Sequence, residues 1–235
     1  HTTARCTVAP RVALLTTGDE LTAPGTPLAP GGIYSSNGPA LAALVQDAGG
    51  RVVLAEDVPD TAEGTRSALA RAIEAADVVC VSGGVSVGPH DHVKGAFADQ
   101  GMEERFWRVA LKPGKPTWFG SAGPKLGFGL PGNPVSALVT FLLFARPALL
   151  ALQGTDPAIA RITGRLTAPV TPEAGRTNAV RCLLRAGAEG WELTPTGPQG
   201  SHQLTSMLAA GALALIEPGE DELPAGTRVR AELLP

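Results

Sequence analysis

The chain has 235 residues, with Lys+Arg 19 against Asp+Glu 22, 44% hydrophobic residues and 17% charged ones. That balance excludes a disordered chain, and a net charge of -3 with only Phe 6, Trp 3 and Tyr 1 leaves neither the basic footprint nor the stacking surface of a nucleic-acid binder. Gly 29 and Pro 21 without a three-residue repeat mean a globular protein with many ordered turns, not a collagen-like one. Cys6, Cys80 and Cys182 are odd in number and far apart, so neither a disulfide framework nor a Cys-based zinc site is expected, and a reducing, cytoplasmic location fits. The longest apolar stretch, 137–152, is interrupted by Arg146 and Pro147 and reads as too short and too polar to span a bilayer. No signal peptide is recognised, and a start at His1 instead of Met reads as a fragment or processed product.

In chain order, residues 11–15 predict a buried strand ending at the turn residues Thr17-Gly18-Asp19-Glu20. A Pro- and Gly-rich loop follows over 23–32. Residues 37–48 place Leu41, Leu44, Val45 and Ala48 at helical spacing, closed by Gly49-Gly50. A strand over 51–54 leads to a helix over 62–76, with Thr61 placed to cap it. Strands over 78–81 and 126–130 run into Ser82-Gly83-Gly84 and Pro131-Gly132-Asn133-Pro134, and an apolar helix over 135–152 comes next. This alternation predicts an α/β domain over 1–155 with an open, mainly parallel sheet. Beyond it, short runs at 162–166, 179–184, 191–194, 212–216 and 228–233 predict a small β-rich domain over 156–235, with one helical turn at 206–210.

Functional loops of a parallel α/β sheet gather beyond the carboxyl ends of its strands. Three glycine-marked segments fall there: 17–21, 82–88 and 131–136. Any one alone could be an ordinary strand–helix turn; three at one edge favour a ligand cleft. Their glycines (Gly18, Gly83, Gly84, Gly88, Gly132) let backbone N–H groups approach an anion or phosphate, although the spacing matches neither a Walker loop nor a dinucleotide fingerprint. Asn133 and Pro134 suit a helix start that would aim free N–H groups and the Ser136 hydroxyl at an anion. Lys112-Pro113-Gly114-Lys115-Pro116 is either a solvated basic turn or a stiff loop whose two ammonium groups converge on a multiply charged oxyanion. Asp19, Glu20, Asp57, Asp60 and Asp91 lie at strand ends or glycine loops, and several around one phosphate would suit Mg²⁺. His90 and His92 bracket Asp91 without metal-ligand spacing and read as structural or solvated.

Taken in order, Thr17-Gly18-Asp19-Glu20-Leu21, the 82–88 loop with Asp91 downstream, 111–116 and 129–137 resemble the molybdopterin molybdenumtransferase family, which includes the gephyrin E domain. Gly175, Arg176 and Arg181, then Gly197 to Ser201, extend the resemblance into the tail. It implies a molybdopterin-binding α/β domain followed by a small β-barrel, and an enzyme that inserts molybdate into adenylylated molybdopterin, releasing AMP with Mg²⁺ as cofactor. By motif, Lys112, Lys115, Pro116, Ser136, Arg176 and Ser201 would surround molybdate. Glu20, Asp60 and Asp91 would be catalytic and hold the metal, while Gly18, Asp19, Ser82, Gly83, Gly84, Ser86, Gly88, Gly132 and Asn133 would bind the pterin phosphate and nucleotide.

The resemblance further implies a homodimer in the full-length protein and a molybdopterin adenylyltransferase as partner. The family's full-length chains carry a further N-terminal portion, which contributes to the active site from the partner protomer. Departures from the pattern fall at Thr177-Asn178-Ala179, Ala209-Ala210-Gly211 and His92. Two other classes stay open: a non-catalytic pterin-binding or scaffold domain, and an enzyme acting on another nucleotide-linked anion, as in CinA-like relatives.

Overall fold

The computed structural model describes residues 2–86, 88 and 91–235. The first half comprises β1 (Arg11–Thr17), β2 (Leu21–Thr22), β3 (Ile33–Tyr34), α1 (Asn37–Asp47), β4 (Arg51–Val58), α2 (Ala62–Ala75), β5 (Val78–Ser82), α3 (Val93–Asp99), β6 (Glu103–Trp107), β7 (Leu111–Lys112), β8 (Trp118–Ala122) and β9 (Lys125–Leu130). It closes with one apolar helix made of α4 (Pro134–Thr140), a π-helical turn (Phe141–Ala145) and α5 (Arg146–Leu152). Then come β10 (Arg161–Leu166), β11 (Thr177–Gly187), β12 (Gly190–Pro195), α6 (Thr205–Leu208), β13 (Ala212–Ile216) and β14 (Arg228–Leu233).

Six strands form the first sheet in the order β4-β1-β5-β9-β8-β6. The first four are parallel, and β8 and β6 add an antiparallel edge. That edge and α3 are absent from the sequence reading. Near-continuous apolar runs on β1 and β5 put the sheet in the centre of the domain, and alternate residues face its two sides. On β1 and β5, Ala13, Leu15, Val79 and Val81 face a core shared with Ala68, Leu69 and Ala72 of α2 and Phe97 of α3. Val12, Leu14, Val78 and Cys80 face the other side, where Leu41 and Val45 of α1 meet Ala137, Phe141, Ala145 and Leu149. Burial of each such valine, leucine or phenylalanine side chain stabilises by about 1.5–3 kcal/mol. Thr61 caps α2 as expected, its hydroxyl accepting from Gly64 N–H at 3.1 Å.

The helix Pro134–Leu152 corrects one expectation. At 19 residues and a mean hydropathy of 2.0 it is long and apolar enough to cross a membrane by length and composition. Just over half of it, 56%, is buried inside the fold, against the sheet on one side and the second domain on another. Pro147 has no N–H to offer the Leu143 carbonyl, and the turn before it widens into the π segment.

The second sheet runs β12-β10-β14-β13-β11-β7, and an additional β12–β11 pairing closes its five long strands into a small barrel. Leu166, Val180, Cys182, Leu193, Ala212, Ala214 and Ala231 fill the interior. The sixth strand, β7, belongs by sequence to the first half. Its parallel pairing with β11 sets Leu111 beside Thr177 and Lys112 beside Asn178. Leu111, Val135, Val139, Ala179 and Leu213 then bury one another between barrel and helix. The strand pairing and the shared core hold the barrel against the loops at the end of the first sheet.

Candidate functional site

Three adjacent parallel strands, β1, β5 and β9, end at the same edge, and their loops interlock there. Gly83 donates to the Leu130 carbonyl at 3.0 Å. Its φ is +102°, and a Cβ would come within 2.5 Å of Thr17 Oγ1 and 2.7 Å of the Thr17 carbonyl, so only glycine fits. Asn37, the first residue of α1, donates from Nδ2 to Ser82 Oγ at 2.9 Å and to the Gly132 carbonyl at 2.7 Å. Ser82 Oγ in turn donates to the Pro131 carbonyl at 3.1 Å. The Ser82 hydroxyl is thus spent on tying loops together, and the residue is 1% exposed.

Two clefts open on this edge. One, about 330 Å³, is lined by Gly18, Gly83, Gly84, Ser86, Glu20, Asp60, Asp91, Pro116, Gly132 and Asn133, among others. The other, about 490 Å³, has Ile33, Tyr34, Ser36, Asn37 and Ser82 on its walls, with His202 reaching in from the barrel side. Thr17, Glu20, Gly132 and Asn133 line both, so the clefts are contiguous. The first presents carboxylates and backbone; the second adds an aromatic and an apolar wall.

Most residues expected around the pterin phosphate therefore meet in one place. Asp19 and Gly88 line neither cleft; they position their neighbours. Asp19 Oδ1 accepts from the Asp60 N–H at 3.1 Å, and Gly88 N–H donates a short hydrogen bond to Asp91 Oδ2. Asp57 is likewise a local brace, accepting from the Thr16 and Ser35 hydroxyls. Val87, Pro89 and His90 lie outside the described residues, so the reading of His90 does as well. Glu20, Asp60 and Asp91 share the smaller cleft, yet among the described residues no three His, Cys, Asp or Glu side chains converge closely enough to hold a metal by themselves. Carboxylate oxygens along one open cleft still fit Mg²⁺ in its common mode, one or two carboxylates with ligand phosphate and water.

The expected oxyanion set is spread along the seam between the two halves. Pro116 lines the carboxylate cleft, while Lys112 and Pro113 line a separate cleft of about 250 Å³ at the barrel. Lys115 is exposed, and among the described residues no carboxylate pairs with it. Lys112 Nζ pairs with Glu173 at 2.6 Å, and the same carboxylate pairs with Arg176. Arg176 stands at the foot of β11, where the ladder to β7 brings it to the lysine loop. The helix start does not offer the free donors expected of it: Val135 N–H is taken by the Ser201 carbonyl at 3.0 Å, and Ser136 is 4% exposed. Asn133 Nδ2 donates to Ser201 Oγ at 3.0 Å, so the barrel loop is latched onto the helix. Arg181, 1% exposed, braces that loop through Ser206 Oγ at 3.1 Å and the Gly200 carbonyl at 3.2 Å; burial pushes its guanidinium pKa down.

Asn37, Tyr34, His202 and Glu173 are the site residues that sequence reasoning missed. Asn37 read only as the first residue of a helix over 37–48, and His202 and Glu173 reach the site only through the docking of the barrel.

A cleft of glycines and carboxylates at the switch edge of an α/β sheet, latched to a small barrel, defines a two-domain α/β-plus-barrel class of protein, and comparison with known proteins gives its family. Residues 13–151 match the family described as probable molybdopterin binding domain, and 163–234 match the MoeA C-terminal region (domain IV). The chain is 39% identical over 230 residues to molybdopterin molybdenumtransferase 2 of Mycobacterium tuberculosis, covering 94% of this chain and 55% of that one. It is 34% identical over 228 residues to the molybdopterin molybdenumtransferase of Haemophilus influenzae, with the same coverage of 94% and 55%. The crystal structure of a molybdopterin biosynthesis moea protein from Pyrococcus horikosii superimposes with a TM-score of 0.81 at 31% identity, over 96% of this chain and 54% of that one. The chain belongs to the MoeA-type molybdopterin molybdenumtransferase family. It spans about half the length of the curated relatives it matches.

Proposed function

We propose that the chain binds adenylylated molybdopterin along the two contiguous clefts and supports its reaction with molybdate, giving molybdenum cofactor and AMP. The observation that carries this reading is the adjacency of a glycine–carboxylate cradle, suited to a phosphate and its metal, to Pro116 and the lysine loop, suited to an oxyanion. Gly83 and Gly84 pack the loop against Thr17 and Val93, and the phosphoanhydride would lie along the cleft that they line. Tyr34 and Ile33 offer a wall for a planar ring in the larger cleft. Lys112, Lys115 and Arg176 would supply charge for molybdate, and Ser201 a hydroxyl from the barrel loop. Asp60 and Asp91 would hold Mg²⁺, which when bound would offset phosphate charge as the anhydride is cleaved. Asn37 keeps the three loops in register, and Asp19 and Gly88 fix the two aspartates, so this geometry is set before the ligand arrives. A cytoplasmic location, a homodimer and hand-over from an adenylyltransferase belong to the same proposal.

Titration calorimetry with AMP and with molybdate tests the site. Each should bind, and saturating AMP should leave molybdate binding intact, because the two ligands occupy neighbouring places. Mutually exclusive binding, or none, would overturn the arrangement.

A further inference from the structure

We infer that Glu173 is a built-in competitor of the oxyanion, occupying its cations until the substrate displaces it; this rests on the oxyanion reading of the lysine loop and Arg176. The Glu173 carboxylate reaches Lys112 Nζ at 2.6 Å through one oxygen and Arg176 through the other. Two of the three cations assigned to molybdate are therefore joined by one internal anion. The turn that carries it is defined by backbone geometry. Glu173 and Arg176 form an antiparallel bridge, and Gly175 between them has a φ of +74°. Arg176 leads directly into β11, whose pairing with β7 fixes Lys112 opposite. The acid thus sits at the junction by construction of two ladders.

Its consequence is energetic. All three side chains are partly exposed, at 49% for Lys112 and 32% for both Glu173 and Arg176. The exchange of one oxyanion for another is open to solvent and needs no unfolding. A carboxylate satisfies the same donors as molybdate with one charge in place of two, so the dianion can win the exchange while ambient monoanions gain little from it. The occupied site stays free of adventitious monoanions at the cost of affinity. If the cations are engaged about nine times in ten, apparent affinity is lowered about tenfold relative to the free pair.

Calorimetric titration of molybdate into wild type, Glu173→Gln and Glu173→Asp, with thermal melts to check folding, tests this. The glutamine variant should bind molybdate about tenfold more tightly, and the aspartate variant, too short to span both cations, should fall between. Unchanged or weaker binding by Glu173→Gln would overturn the competitor role, the weaker case showing that Glu173 holds the cations in place for the ligand. Absence of molybdate binding in wild type and in both variants would instead overturn the oxyanion reading of the loop itself, and the competitor with it.

Discussion

Glycine-to-alanine substitutions at Gly83 and Gly95 should act in opposite directions. At Gly83 the φ of +102° is one that L-residues rarely adopt, and the added Cβ would meet Thr17 Oγ1 at 2.5 Å and the Thr17 carbonyl at 2.7 Å. The conformational strain costs about 1–2 kcal/mol, and relieving the backbone clash brings the total to about 2–4 kcal/mol, the range of strain and overpacking at a fixed site. In a chain of this size that lowers the melting temperature by about 4–16 °C. Gly95 lies inside α3 with nothing within 4 Å of an added Cβ, so alanine there should stabilise by about 0.5–1 kcal/mol through helix propensity alone. Differential scanning calorimetry of both variants measures the contrast. A Gly83→Ala protein that melts with wild type would refute the claim that the β1 and β5 loops are interlocked at that contact. The Gly83→Ala protein should also lose AMP affinity, because Gly83 lines the cleft proposed for the phosphate.

Lys115→Ala should weaken molybdate binding by about 1–3 kcal/mol, the range for a charge-assisted hydrogen bond, while the melting temperature stays put because the side chain is exposed; calorimetry reads the first and a thermal melt the second. Limited proteolysis should cut first between residues 152 and 159, where exposed Gly154, Thr155, Asp156 and Pro157 join the two halves; first cuts within 78–88 would contradict a two-domain division there. Burial raises the Cys80 thiol to about 12 and Cys182 to about 11, so a thiol reagent at pH 8.5 should modify Cys6 alone in the native chain and all three after denaturation. Since both folded values lie above the ordinary 9.0, the stability these neutral thiols contribute is intact below pH 9 and lost as pH rises towards 11 to 12. Urea denaturation across that window should show the loss.

The alternation of apolar runs and helical spacing made the parallel core legible, because β1 and β5 are buried on both faces and their sequences are almost wholly apolar. Strand β4 outran its expected length: exposed Ala55 and Asp57 alternate with half-buried Leu54 and Glu56, the pattern of an edge strand. Strands β6 and β8 escaped notice because Glu103, Glu104 and Arg105 are exposed at the opposite edge and Gly120 interrupts the apolar pattern. The glycine loops and carboxylates were readable because close backbone approach demands glycine at fixed strand ends. The seam was not: the β7–β11 ladder joins residues 66 positions apart, and neither the Glu173 contacts nor the latch of Ser201 on Val135 has a local signature.

The most direct test of the central claim is release of AMP from adenylylated molybdopterin by this chain, followed with and without Mg²⁺ and molybdate, for wild type and Asp91→Asn. The account requires Mg²⁺-dependent release by wild type, molybdenum cofactor formed only when molybdate is present, and loss of both in the Asp91 variant. Release that ignores the metal, or that survives unchanged in Asp91→Asn, would contradict it.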